Sequence, residues 1–343
     1  MSLAMVAGVL LSGCSRPPAD LPGEQLEAPE GSFYHPVWMP DGWIYFNRIL
    51  DDVGLEVADR RQMERTVWRT KPGTPAEALP LPEIEGCILT KYGQLHRLPD
   101  DRLGMARECG GEDTAGTWWE LVALDVDTGD LEVLVKDMPP VGNVAWFEDM
   151  SGGYLTTGGS CSGIAPFDED GVRPLPGPIT IDGHTWRLDE AVIRRLEGYD
   201  CSDEGVVRRV AITPDAAVVF FAAPDAQGRS GRARGDTLSN LYVWPPDGQP
   251  QRVASRFSEL GGIAAAPDGD SVVVAAEYRG RRGIYQVYLA SGEVQELGRG
   301  SSRDVTIAPS GSAAVASFLP PGGPVEEALF HMELRLLPLH QAS

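Results

Sequence analysis

Apolar and polar positions recur along this chain in a fixed order. An apolar or alternating strand runs into a Pro-Asp-Gly-like turn, and a second apolar strand follows. The clearest copy is HPVWMPDGWIYF at 35–46. IAAAPDGDSVVVA at 263–275 and VAITPDAAVVFF at 210–221 repeat it. VTIAPSGSAAVA at 305–316 and LHRLPDDRLGMA at 95–106 are weaker, and VAWFEDMSGGYLT at 144–156 has lost the proline. Proline presets φ at the first turn corner, and Asp and Gly accept the remaining corners. The copies lie about 40 to 65 residues apart, room for one four-stranded antiparallel blade each.

Between the copies the pattern predicts outer hairpins. WELVALDVDTGDLEVLV at 119–135, LYVWPPDGQPQRV at 241–253 and IYQVYLASGEVQEL at 284–297 each place alternating strands around a Gly-containing turn. Asp125, Asp127 and Asp130 lack the Gly and Glu that an EF-hand loop needs, so a plain turn is expected there. One segment breaks the strand pattern. LDEAVIRRL at 188–196 places Leu188, Val192, Ile193 and Leu196 on one helical face, with Asp189 as N-cap and Gly198 as stop. After the sixth copy only residues 327–340 remain for outer strands, and residues 24–32 are the candidate for a missing one.

These repeats resemble the WD40-like repeats of TolB-type propellers, over roughly residues 33–340. The resemblance implies an all-β fold, a six-bladed β-propeller of four-stranded antiparallel blades. It also implies that the work of the protein is binding other proteins.

The N-terminus adds a location. MSLAMVAGVLLSG at 1–13 is an apolar run too short to span a bilayer, and it ends in Leu11-Ser12-Gly13-Cys14. This resembles the lipobox of bacterial lipoproteins, although the Lys or Arg that opens such signals is missing. The resemblance implies cleavage before Cys14, a lipid on its thiol, and an extracytoplasmic protein anchored to a bacterial membrane. The expected organisation is a signal peptide at 1–13, a Pro- and Glu-rich tether at 14–32 and one propeller domain at 33–340.

Four further cysteines, Cys87, Cys109, Cys161 and Cys201, suit two disulfides in an exported chain. In a four-stranded blade, the loop entering the first strand and the loop joining strands two and three share one face. That ordering puts all four on this face and suggests Cys87–Cys109 and Cys161–Cys201, with the other pairings open. It also collects two basic loops there, QGRSGRARGDT at 227–237 and YRGRRG at 278–283. Arg229, Arg232, Arg234, Arg279, Arg281 and Arg282 form the candidate binding patch, since guanidinium forks suit carboxylate or phosphate partners.

Acidic residues outnumber basic ones by 50 to 29, a formal charge of −21 that disfavours nucleic-acid binding. GSCSG at 159–163 imitates a nucleophile elbow but lies in a strand-and-loop context, not the strand-to-helix turn that motif needs. His35 and His96 fall on first strands that line a propeller channel, five and three residues before their repeat prolines, so they need not share a level. No catalytic residue, metal or cofactor is assigned. The leading reading is a protein-binding scaffold of the cell envelope. The alternative is an extracytoplasmic hydrolase or lyase on carbohydrate or peptide, with its site in the channel.

Overall fold

The computed structural model describes residues 21–29, 31–49, 65–82, 89–110, 118–157, 163–196, 207–223, 238–319 and 332–339. A short strand, β1 (Glu24–Gln25), precedes a four-stranded sheet of β2 (Ser32–Trp38), β3 (Ile44–Ile49), β4 (Arg65–Thr70) and β5 (Glu77–Leu79). The next sheet holds β6 (Leu89–Arg97), β7 (Leu103–Gly110), β8 (Trp118–Leu124) and β9 (Leu131–Met138). A third holds β10 (Val141–Trp146), β11 (Gly153–Thr157), β12 (Ile164–Asp168) and β13 (Gly171–Val172). An insertion follows, made of the hairpin β14 (Ile179–Ile181) and β15 (His184–Trp186) and the helix α1 (Glu190–Leu196). Then come β16 (Val207–Ile212), β17 (Val218–Ala222), β18 (Ser239–Trp244), β19 (Gln251–Ser258), β20 (Ile263–Ala265), β21 (Ser271–Tyr278), β22 (Arg281–Tyr288) and β23 (Val294–Arg299). These eight form one sheet, in which β19 meets β21 only through Phe257↔Tyr278 and Ser258↔Glu277. β24 (Ser302–Ile307), β25 (Ala313–Phe318) and β26 (Glu333–Pro338) complete the chain, and their sheet takes β1 as its fourth strand. Every pairing is antiparallel. No helix among the described residues is long and apolar enough to cross a membrane.

The repeat turns keep one backbone shape through their sequence changes. The third residue of each turn is left-handed: Gly42 (φ 85°), Asp101 (67°), Met150 (60°), Ala216 (62°), Gly269 (77°) and Gly311 (70°). Asp41, Asp100, Asp149 and Asp268 each accept the backbone N–H two residues on, and Ser310 does so in the last copy, so the side chain holds the turn whether or not Gly follows. Asp125 works in the same way, accepting the N–H groups of Asp127 and Thr128, so the 125–130 segment is the expected hairpin turn.

The core lies between successive sheets, not within one. Val37, Tyr45 and Val67 pack against Tyr92, Met105 and Val122. Ala106, Leu121 and Val135 meet Val144, Leu155 and Phe167. Ile164 and the insertion meet Val210, Val218 and Phe220. Val219, Phe221 and Leu241 meet Ile263, Val272 and Val274, so the eight-stranded sheet folds face-on against itself. Val273 and Ala275 meet Val305, Ala314 and Ala316. The last cluster joins Val315 and Leu334 to Phe33, Ile44 and Phe46, returning to the first sheet.

Residues 24–32 were the candidate outer strand, and Glu24 and Gln25 pair with Leu336 and Arg335. Of the tether expected over 14–32, the described residues, from Leu21 on, include a strand of the last sheet. Leu26 is buried in the cluster that joins the last sheet to the first, and its N–H donates to Leu334 O at 2.9 Å. The Arg335 guanidinium holds the carbonyls of Leu21 (2.8 Å), Pro22 (3.1 Å) and Gly23 (2.9 Å). Apolar Leu21 and Leu26 in a polar stretch supply the burial that a free tether would lack.

The helix begins at Glu190, directly after the N-cap expected at Asp189. The Asp189 carboxylate is taken by Leu175 N–H at 2.8 Å, across the insertion, while its carbonyl accepts Ile193 N–H at 3.0 Å. Leu188 and Val192 are buried and Leu196 is exposed. The β14–β15 hairpin turns on Asp182 and Gly183, both with positive φ, and Asp182 accepts the Tyr242 hydroxyl at 2.7 Å.

Candidate ligand site in the central channel

The first strand of each repeat, β2, β6, β10, β16, β20 and β24, contributes to the wall of one cavity of about 480 Å³. Counting back from the turn prolines, and from Glu148 in the copy that lacks one, aligns the six strands. Four positions before the turn stand Pro36, Leu95, Val144, Val210, Ile263 and Val305, all buried and also on the cavity wall. Five positions before it stand His35, Gln94, Asn143, Arg209, Gly262 and Asp304, which line the cavity. A bulge sets this column apart. The register shifts between Tyr34 and Val37, between Gly93 and His96, and between Arg208 and Val210. His35 (φ 51°), Gln94 (48°) and Arg209 (58°) occupy the left-handed bulge positions, and bulges of this kind re-aim a side chain.

The two channel histidines have different surroundings. His35 N–H donates to Asp304 Oδ2 at 3.2 Å, bridging the first and last repeats. Asn47 Nδ2 donates to Tyr92 O at 3.1 Å, which leaves Asn47 Oδ1 as the acceptor for His35 Nδ1 at 3.2 Å. His96 lies lower. Its Nδ1 faces Gln94 O at 2.8 Å and its Nε2 faces Trp146 Nε1 at 2.9 Å. A carbonyl only accepts and an indole N–H only donates, so His96 is the neutral tautomer with its proton on Nδ1. Burial, opposed by the Gln94 carbonyl and aided by the nearby His35, pulls its pKa down to about 4. Both nitrogens are occupied, and His96 is a structural link between the second and third repeats.

Across the column, charge is unevenly placed. Asp304 is buried on β24. Asn143 Oδ1 accepts Val210 N–H at 2.7 Å, so its amide hydrogens remain as donors beside β16. Arg209 follows on β16, half-buried, and its guanidinium makes no hydrogen bond or ion pair among the described residues. Gln94, Asn143, Arg209 and Asp304 were not singled out in the sequence. Aligning the repeats on their turns would have found them, because this column is polar in five of the six copies where its neighbour is apolar or Pro throughout.

The residues that sequence reasoning named are scattered. Cys14, Cys87, Cys161, Cys201, Arg229, Arg232 and Arg234 lie outside the described residues. Cys109 is buried in β7, opposite Thr90, and is disulfide-bonded. The basic segment expected at 278–283 is the tight hairpin between β21 and β22, with Tyr278 paired to Arg281 and Arg279 and Gly280 at the turn. Two left-handed residues close such a turn without a loop. Arg282 is bonded to Glu259 and Ser301 and lies 3.6 Å from Glu277, so its charge is compensated. Arg279 lies over the Tyr278 ring at 5.0 Å, and Arg281 is exposed.

Antiparallel four-stranded sheets packed face to face around an axial cavity decide the architecture. The chain has the TolB-type β-propeller fold. TolB from Acinetobacter baumannii matches over 87% of this chain and 64% of its own, with 14% identity and a TM-score of 0.50. A TolB candidate from Agrobacterium tumefaciens matches over 91% of both chains, with 14% identity and a TM-score of 0.50. A Bacteroides thetaiotaomicron protein of unknown function matches over 92% of this chain and 72% of its own, with 10% identity and a TM-score of 0.51. The chain thus spans less than two thirds of the Acinetobacter TolB. No protein-family model and no curated protein matches it. At these identities the TolB-type likeness is one of fold.

Proposed function

We propose that the protein is a lipid-anchored, extracytoplasmic propeller of six blades that binds a protein or other envelope component at the face where the inner strands begin. The observation that carries this reading is the polar column His35, Gln94, Asn143, Arg209 and Asp304 at that end of the axial cavity. Six apolar clusters, each between neighbouring groups of strands, support the count of six. The Leu11-Ser12-Gly13-Cys14 sequence supports the anchor. Cys87 is the partner we assign to Cys109, since β7 residue 109 stands opposite residue 90, only three positions on. Cys161 and Cys201 form the second pair. Arg279 and Arg281, with Arg229, Arg232 and Arg234, extend the binding face, and Arg282 is withdrawn from it by its carboxylate partners.

Affinity capture from envelope extracts tests the reading. Wild type and the variants Asp304→Asn and Arg279→Ala/Arg281→Ala are compared for what they retain. A retained set that shrinks in the variants is the expected outcome, and an identical set in all would sink it. A hydrolase or lyase reading draws on one observation, the imidazole-bearing His35 bonded through its backbone to the Asp304 carboxylate. Turnover lost in His35→Asn with capture intact would favour that reading.

A further inference from the structure

We propose that the channel mouth binds a carboxylate group, held by the donor arc of Gln94, Asn143 and Arg209. This deepens the binding reading above and rests on it. In a chain with 50 carboxylates and 29 Lys and Arg, many guanidinium groups find acidic partners, as Arg69, Arg97, Arg102, Arg173, Arg282 and Arg299 do here, though exposed Arg281 shows none among the described residues. Arg209 shows none there either, although it is half-buried in the wall of a cavity. A guanidinium in a cavity wall with no acidic partner keeps its N–H groups available to a ligand.

Its neighbours complete a donor set. The Val210 N–H fixes the orientation of the Asn143 amide by occupying Oδ1, which leaves only N–H groups to offer. The Gln94 side-chain amide, one strand further round, makes no hydrogen bond among the described residues and can present its own N–H groups. Three adjacent inner strands thus carry one guanidinium and two amides at one level. A planar, two-oxygen anion matches the guanidinium fork, with amides left for its remaining lone pairs. Asp304, across the mouth, repels a second anion and favours ligands that carry a single carboxylate on that side or a cation beyond it. The bulge that places Arg209 at φ 58° is backbone strain located at this group, as is common where a side chain is held for a ligand.

The carboxylate can belong to a chain end or to a small organic acid, and the experiment separates the two. Purified full-length protein is treated with p-hydroxyphenylglyoxal, and modification of each arginine is followed by mass spectrometry. N-acetyl-dialanine supplies a chain-end carboxylate, its C-terminal amide is the neutral control, and succinate is the small acid. The expected result is that one or both acids slow modification of Arg209 by about tenfold at saturation, the range of a charge-assisted pair, while the amide does not. Arg279 and Arg281 serve as internal controls and keep their rates. In Asn143→Asp, whose carboxylate still accepts the Val210 N–H, the acids no longer change the Arg209 rate. Slowing by N-acetyl-dialanine alone assigns a chain end, and slowing by succinate alone assigns a small acid. Equal slowing by acid and amide, or none by either acid, overturns the proposal. Because no extract is involved, partner capture can fail with Arg209 protection intact, and the reverse, so the two readings fall separately.

Discussion

The His96 imidazole fills the space in front of Gly104, where an added Cβ would stand 2.3 Å from its Nε2. Burial there and the Trp146 indole, which donates to Nε2, hold the ring neutral against the Gln94 carbonyl. A pH dependence follows. The folded-state pKa of about 4 lies below the ordinary value near 6.5, so the unfolded chain binds the extra proton first. The contribution is therefore full above about pH 6.5 and is lost as pH falls toward 4. Its size is about 3 kcal/mol, from a displacement of that order. Urea unfolding of wild type and His96→Gln between pH 7 and 4 should show a steeper acid loss in wild type, by about 2–3 kcal/mol. Parallel curves would remove His96 from this role.

Among the elements, the repeat turn is the one whose sequence varies most while its backbone stays constant. Nothing lies within 4 Å of a Cβ added at Gly42, so Gly42→Ala tests the left-handed backbone alone. It should lower stability by about 1 kcal/mol, and Ala216→Gly, at φ 62°, should raise it by a similar or smaller amount. Melting temperatures that move the other way in both would refute the shared turn. This constancy is why the strands were legible in the sequence: Pro, Asp and Gly each act locally, and enough copies keep them. The third copy is harder to read, because Met150 replaces the expected Gly and the Asp149 carboxylate holds the turn. The 179–186 hairpin escaped notice although Asp182-Gly183 between alternating residues signals one. The site was legible only in part. His35 stood out as a rare residue type, but Arg209 and Asn143 are distinguished by their bulge and their neighbours across blades, and neither is local in sequence.

At the scale of the whole molecule, the ring is held shut by residues that adjoin an extended N-terminal stretch. Leu26 is as buried as the strand interiors and joins the last sheet to the first. Leu26→Ala should cost about 3 kcal/mol, comparable to truncating an interior leucine such as Leu121. Denaturant titration of both variants gives the comparison, and a loss below about 0.5 kcal/mol would mean that the N-terminal strand adds nothing to closure.

The pairing of β1 with β26 has a mechanical consequence. The first and last described strands are neighbours at the outer edge of one sheet. Leu21 lies seven positions after Cys14, an extended reach of about 25 Å. A lipid on Cys14, were one attached, would hold the domain through this edge strand, like a coin on a short leash. Pulling on that leash would load the β1–β26 hydrogen bonds directly, so the seam that closes the ring is also the place where tension from the membrane would first be felt.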